Sequence, residues 1–192
     1  MKLLLLSIIV VAGLWIGWRF DSDITQARAR AMQGGKVIST RCGPIEYEEA
    51  GEAGNGLPLL MVHGSGGGHD QGMLFARDFT AQGMRVIAPS RFGYLGTPLP
   101  SDASPQAQAD AHACLLDALG IPRAAVLGAS AGALSAMQMA IRHPDRVGAL
   151  VLLVPLAWRP ATAADKPPSE LAQKLLLSLI GTVLGGIWAN ES

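Results

Sequence analysis

Between Ala124 and Arg142 the chain passes from an apolar strand pattern, Ala124-Ala125-Val126-Leu127, through Gly128-Ala129-Ser130-Ala131-Gly132, into an alanine-rich helical pattern that stops at His143-Pro144. No other stretch constrains the fold as much. A serine with nothing larger than alanine on either side suits a turn too tight for ordinary side chains. An ordinary helix N-cap is the plainer reading of the same serine. A second glycine-rich run, His63-Gly64-Ser65-Gly66-Gly67-Gly68, follows the apolar stretch Leu57 to Val62. It lacks the Lys-Ser/Thr that would complete a phosphate-binding loop.

Around these two runs, strand and helix patterns alternate. Strands are expected at Lys36 to Arg41, Ile45 to Glu49, Leu57 to Val62, Arg85 to Ala88, Ala124 to Leu127 and Val147 to Val154. The first two read as a hairpin turning at Gly43-Pro44. Helices are expected at Asp70 to Gln82, Pro105 to Leu119 and Ala131 to Arg142, the second with Ser104 as N-cap, Pro105 at its first position and Gly120 as its stop. Several strands are apolar without polar alternation, which suits a sheet covered on both faces. The fold class is therefore α/β: a mostly parallel sheet with helices on both faces. Ser90 to Ser104, rich in Gly and Pro, reads as a long surface loop.

The chemistry centres on Ser130. Gly-x-Ser-x-Gly at a strand-to-helix turn is the arrangement that presents a serine as a nucleophile. Its hydroxyl needs a base, oriented in turn by a third group. The backbone amides of Ser65 and Ala131 are the candidate oxyanion hole, aimed where negative charge develops on an attacked carbonyl. None of the four histidines reads as the base. His143 lies about 20 Å along the helix from Ser130, at about 1.5 Å per residue, and caps the helix end. His63 is expected to order the glycine-rich loop. His69 borders the pocket with no acid placed to orient it, and His112 is mid-helix packing at the surface or partly buried. After Ser130 the acids are Asp145, Asp165, Glu170 and Glu191, and none follows a strand suited to carry a catalytic acid. Arg91 reads as a brace for its turn, with a substrate carboxylate as the alternative. Met73, Phe75, Phe92 and Tyr94 are core packing by default and pocket walls otherwise.

Together these landmarks resemble the α/β-hydrolase superfamily, close to the lid-bearing C–C-bond and ester hydrolases. The likeness covers about 36–155. It rests on His63-Gly64 with its glycine run, Arg91-Phe92-Gly93-Tyr94, the Ser130 turn, and His143-Pro144-Asp145-Arg146-Val147 leading into Leu150-Val151-Leu152. The resemblance implies a serine hydrolase acting on an ester or similar activated carbonyl, with a small-molecule substrate and no cofactor. The sequence departs from the family in two places. Ser90 stands where many relatives carry aspartate, which is expected to weaken a local loop contact. The acid and histidine that the family places beyond the lid have no counterpart, so the fold is expected to be a truncated α/β-hydrolase fold. A non-catalytic remnant or binding module is the competing reading. A cofactor-free lyase or haloperoxidase-type reaction on the same serine is a third.

The ends of the chain carry the remaining expectations. Met1-Lys2 precedes an apolar run, residues 3–18, that reads as a signal or membrane anchor (1–20) followed by a polar spacer (21–35). Trp15, Trp18 and Arg19 suit a membrane–water interface, and the body is expected on the non-cytoplasmic side. A partial hydrolase core is assigned to 36–155 and the start of a lid to 156–192, with an apolar helical pattern at Glu170 to Trp188. An open sheet edge and this apolar tail predict self-association. Fifteen basic against fifteen acidic residues form no basic stripe, so nucleic acid is not an expected partner. Cys42 and Cys114 are expected as free thiols, and no Cys/His spacing suggests a metal.

Overall fold

A computed structural model of the chain describes residues 2–52, 54 and 56–155. It separates into two units: the N-terminal helix, and a body formed by Ala31–Pro160. The helix, α1, runs Lys2–Ala31 without a break, so the polar stretch from Asp21 continues the same helix as the apolar run. Leu6, Ile8, Ile9, Val10, Val11, Leu14, Trp15, Ile16, Trp18 and Phe20 are all exposed on it. Among the described residues no helix is long and apolar enough to cross a membrane.

The body is a six-stranded sheet in the order β1-β2-β4-β3-β5-β6. Its strands are β1 (Lys36–Thr40), β2 (Gly43–Ala50), β3 (Leu59–Val62), β4 (Val86–Pro89), β5 (Ala124–Ala129) and β6 (Val147–Leu153). The β1–β2 and β2–β4 pairs are antiparallel, whereas β4, β3, β5 and β6 run parallel. The hairpin turn falls at Arg41-Cys42 rather than at Gly43-Pro44, which open β2 and pair with β1. Helices α2 (His69–Ala81), α3 (Pro105–Ala118) and α4 (Gly132–Arg142) supply the crossovers. Ser104 caps α3 as its sequence predicts: its side chain accepts from the Ala107 amide at 3.1 Å.

The apolar strands divide by parity, because successive side chains on a strand point to opposite faces. Leu60, Val62, Ile87 and Val126 pack with Leu115, Leu116, Ala136 and Met139, that is, with α3 and α4. Leu59, Met61, Val86, Ala88, Leu127 and Ala129 pack with Ala76, Met73 and Phe79 of α2. Both faces of the central strands are therefore covered, which is why these strands show no polar alternation. At the end of the order, β6 pairs only with β5 among the described residues, and Leu150 to Val154 are exposed.

The expectation of free thiols is overturned. Cys42, in the β1–β2 turn, and Cys114, on α3, form a disulfide with Cα atoms 6.0 Å apart. Seventy-two residues separate them in sequence. Packing of α3 against β1 and β2 brings them together. The expected lid, its apolar helix, and Asp165, Glu170 and Glu191 lie outside the described residues.

Candidate active site

The parallel strands end at one edge of the sheet in two turns that meet. β5 ends at Ala129, and the chain turns sharply into α4 through Ser130 and Ala131. Ser130 holds φ at +48°, in the left-handed region that a side chain enters only under strain. Its amide donates to the Leu153 carbonyl at 2.9 Å and its carbonyl accepts from the Ala133 amide at 3.1 Å. The backbone of the bend is thus fixed on both sides. Ser130 is exposed, and among the described residues its hydroxyl has no hydrogen-bond partner. It is therefore no ordinary N-cap, and α4 has no side-chain cap.

The surrounding glycines are required by close approach. A Cβ on Gly132 would sit 2.5 Å from the Val62 carbonyl oxygen and closer still to that of His63. One on Gly128 would sit 2.6 Å from the Ala136 Cβ. One on Gly64 would lie 3.3 Å from the Ser130 Cβ, so the glycine-rich loop leans directly on the bend. The loop is held from behind by Gln71, whose Oε1 accepts from the Gly64 amide at 2.9 Å. The amides of Ser65 and Ala131 have no acceptor among the described residues.

The four histidines are all engaged elsewhere. His63 is fully buried; its Nε2 accepts from the Arg91 amide at 2.9 Å and its Nδ1 lies 2.7 Å from the Gly64 carbonyl oxygen. Burial, with the Arg91 charge second, pushes its pKa down to about 3. His112, expected at the surface or partly buried, is fully buried and 3.3 Å from the Ser135 hydroxyl. Burial again dominates and pushes its pKa down to about 3. His143 ends α4 and binds Asp110 of α3 at 2.8 Å, where Arg142 also pairs with Asp110.

His69 is the case where the sequence reading failed. An acid does orient it: Glu48 Oε2 stands 3.0 Å from His69 Nδ1, and Glu46 lies 3.9 Å from Nε2. Both glutamates come from β2, 21 and 23 positions earlier in the chain. The alternating acids of that strand were the available signal, but the antiparallel pairing that delivers them to α2 was not. Ser90 joins the same cluster and is fully buried. Its hydroxyl donates to Glu46 Oε2 at 2.7 Å and accepts from the His69 amide at 3.0 Å. The replacement for aspartate therefore makes a contact where a weakened one was expected.

Arg91 is the brace its sequence position suggests. Its Nη2 donates to the Gly64 carbonyl at 2.8 Å and to the Tyr94 hydroxyl at 3.4 Å, and its guanidinium lies 5.0 Å from the Tyr94 ring centroid. Beside Ala131 lies a cavity of about 190 Å³ lined by Arg91, Phe92, Gln108, Leu134 and Ser135, among others. Phe92 and Arg91 thus border open space next to the bend, whereas Met73 packs in the core. Among the described residues no cluster of three or more His, Cys, Asp or Glu side chains is placed to hold a metal ion.

The sequence matches the family described as alpha/beta hydrolase fold over residues 58–183. The 2-hydroxymuconate semialdehyde hydrolase of Pseudomonas putida is 38% identical over 137 residues, covering 67% of this chain and 49% of that protein. Among solved structures, an alpha/beta hydrolase fold protein from Nakamurella multipartita superposes with a TM-score of 0.67 at 40% identity, covering 81% of this chain and 52% of its own. A meta-cleavage product hydrolase (CumD) superposes with a TM-score of 0.60 at 27% identity, over 80% of this chain and 62% of its own. The chain spans about half the length of the curated relatives it matches.

Proposed function

Because the chain belongs to the alpha/beta hydrolase family, we propose that Ser130 is the nucleophile of a hydrolytic site acting on an activated carbonyl. The observation that carries this reading is the bend itself: an exposed serine at φ +48° whose hydroxyl is unengaged among the described residues. Strain of this kind persists where it serves a site. Attack by the Ser130 oxygen on a carbonyl carbon creates a tetrahedral oxyanion. The amides of Ser65 and Ala131 are the donors that stabilise it, with the N-terminal end of α4 adding its dipole.

The base that takes the Ser130 proton, and the acid that orients it, come from outside the described residues. None of the four histidines contacts the Ser130 hydroxyl: their ring nitrogens face Arg91 and Gly64, Glu48, Ser135 and Asp110. The relatives named as 2-hydroxymuconate semialdehyde hydrolase and meta-cleavage product hydrolase support a C–C bond of an activated ketone as the target over an ester. The test is labelling with a fluorophosphonate probe, read by peptide mass spectrometry. With no base beside the hydroxyl among the described residues, phosphonylation at Ser130 is expected to be slow, and to be lost in Ser130→Ala. Absence of label, or label that persists in the variant, overturns the reading.

The engagement of all four histidines favours one second reading, a binding module that keeps the pocket without turnover. Binding of a substrate analogue with no phosphonylation of Ser130 distinguishes it.

The same reading extends to location. The apolar run at residues 3–18 spans about 24 Å as a helix, short of the ~30 Å hydrocarbon core of a bilayer. From Leu6 to Trp18 its large side chains are exposed, and Trp15 and Trp18 lie at its end. A disulfide in the body favours an oxidising compartment. Together these support a body tethered to a membrane on its non-cytoplasmic side.

A further inference from the structure

Four of the five residues after His63 are glycine. Such a run turns its peptide planes at little cost. That freedom is a hazard at an oxyanion site. If the Gly64–Ser65 peptide rotated by half a turn, a carbonyl oxygen would stand where an amide hydrogen is needed, and it would repel the charge it should stabilise.

The structure shows what opposes this rotation. The Gly64 carbonyl is held by two donors at once, Arg91 Nη2 at 2.8 Å and His63 Nδ1 at 2.7 Å. The His63 tautomer follows from its other contact. Nε2 accepts the Arg91 backbone N–H at 2.9 Å, so it is bare and the proton is on Nδ1. The next peptide is held as well: the Tyr94 hydroxyl, which accepts from Arg91 Nη2, donates to the Ser65 carbonyl at 3.3 Å. In a trans peptide the N–H points opposite its carbonyl. Fixing the Gly64 oxygen toward Arg91 therefore fixes the Ser65 N–H away from it. Gln71 takes the Gly64 amide, which leaves the Ser65 amide as the free donor of the pair among the described residues.

We infer that Arg91 is a positioning residue, which through the Gly64 carbonyl and through Tyr94 locks two successive peptides of the glycine-rich loop so that the Ser65 N–H serves the oxyanion. The inference rests on the serine-hydrolase reading for its catalytic meaning and on the hydrogen bonds alone for its structural content. The guanidinium suits the task because one nitrogen, Nη2, carries two N–H donors, one reaching the Gly64 carbonyl and one the Tyr94 phenol oxygen. It is half-buried, beside the Tyr94 ring.

The experiment pairs two measurements on wild type, Arg91→Ala, Arg91→Lys and Tyr94→Phe. The first is fluorophosphonate inactivation of Ser130, separated into the binding constant and the maximal rate. Loss of one oxyanion donor lowers such rates by roughly 10²–10³-fold. Arg91→Ala is expected to lower the maximal rate by at least ~10-fold with binding of the probe unchanged. Arg91→Lys should recover part of the rate, because its shorter side chain carries an ammonium able to donate to the Gly64 carbonyl, and Tyr94→Phe should show a smaller loss of the same kind. The second is the crystal structure of Arg91→Ala, in which the Gly64 carbonyl is expected to leave its wild-type direction. An unchanged carbonyl overturns the inference, as does an unchanged maximal rate. Should Arg91→Ala fail to fold, Tyr94→Phe carries the rate measurement, and the Ser65 carbonyl is then the one expected to leave its wild-type direction; an unchanged rate and an unchanged Ser65 carbonyl overturn the inference. Should wild type itself resist the probe, the hydrolase reading fails while the carbonyl direction still decides whether Arg91 holds the loop.

Discussion

At Ser130 and Ser90, single residues carry consequences well beyond their size. Ser90 hydrogen-bonds Glu46, which is almost fully buried. An aspartate at that position would set a second carboxylate against it, with no hydroxyl proton between them. Ser90→Asp is therefore expected to destabilise the body by at least ~2 kcal/mol, the scale of a lost buried hydrogen bond to a charged group. Adding Glu46→Gln should recover much of that loss. Urea melts of the two single variants and the double variant measure it, and additive losses would refute the pairing. His63 and His112 make a second residue-level prediction. Each is held at about 3 in the folded chain against an ordinary value of 6.5. Between those values the unfolded chain binds protons that the folded chain refuses. The stability they allow is complete above pH 6.5 and declines as pH falls toward 3. The expected slope approaches about 1.4 kcal/mol per pH unit for each histidine. Urea melts from pH 7 to 4 read it, and His112→Leu should reduce the slope.

Among the elements, the β5–Ser130–α4 bend was legible from sequence because its small residues are local, although the contacts that demand them, with Val62, His63 and Leu153, are not. Gly128, Ala129, Ala131 and Gly132 lie within two positions of the serine, and the cap of α3 at Ser104 is three residues long. The hairpin shows where locality runs out. Gly43-Pro44 resemble turn residues, yet pairing with β1 draws them into β2. The disulfide was not legible at all. Its halves sit on a turn and a helix that meet only after α3 has packed on β1 and β2. Closing a loop of 72 residues restricts the unfolded chain, so reduction is expected to cost about 2–4 kcal/mol. Mass spectrometry of the alkylated, unreduced protein should find no free thiol, and Cys42→Ser should melt like the reduced chain. A melting midpoint indifferent to reductant would argue against the linkage.

For the whole molecule, two apolar surfaces set the behaviour. One is β6, whose residues Leu150 to Leu153 are exposed together with Val154 just beyond it, while the chain spans about half the length of its curated relatives. The other is α1. If α1 tethers the body, the protein should float with phospholipid vesicles, and Ile9→Asp with Leu14→Asp should release it while leaving the melting of the body unchanged. Equal flotation of the two forms would remove the tether. By itself the sequence determined where strands and helices form, that the sheet is covered on both faces, and that Ser130 stands on a strained bend. Each of these depends on neighbours a few positions apart: residue parity, capping, and small side chains at a tight turn. Only the tertiary structure decided that Glu48 orients His69, that Arg91 reaches back to Gly64, that Cys42 finds Cys114, and that β4 lies between β2 and β3. Those partners meet through strand order and register, which are set by the packing of the whole body and leave no pattern within any short stretch of chain.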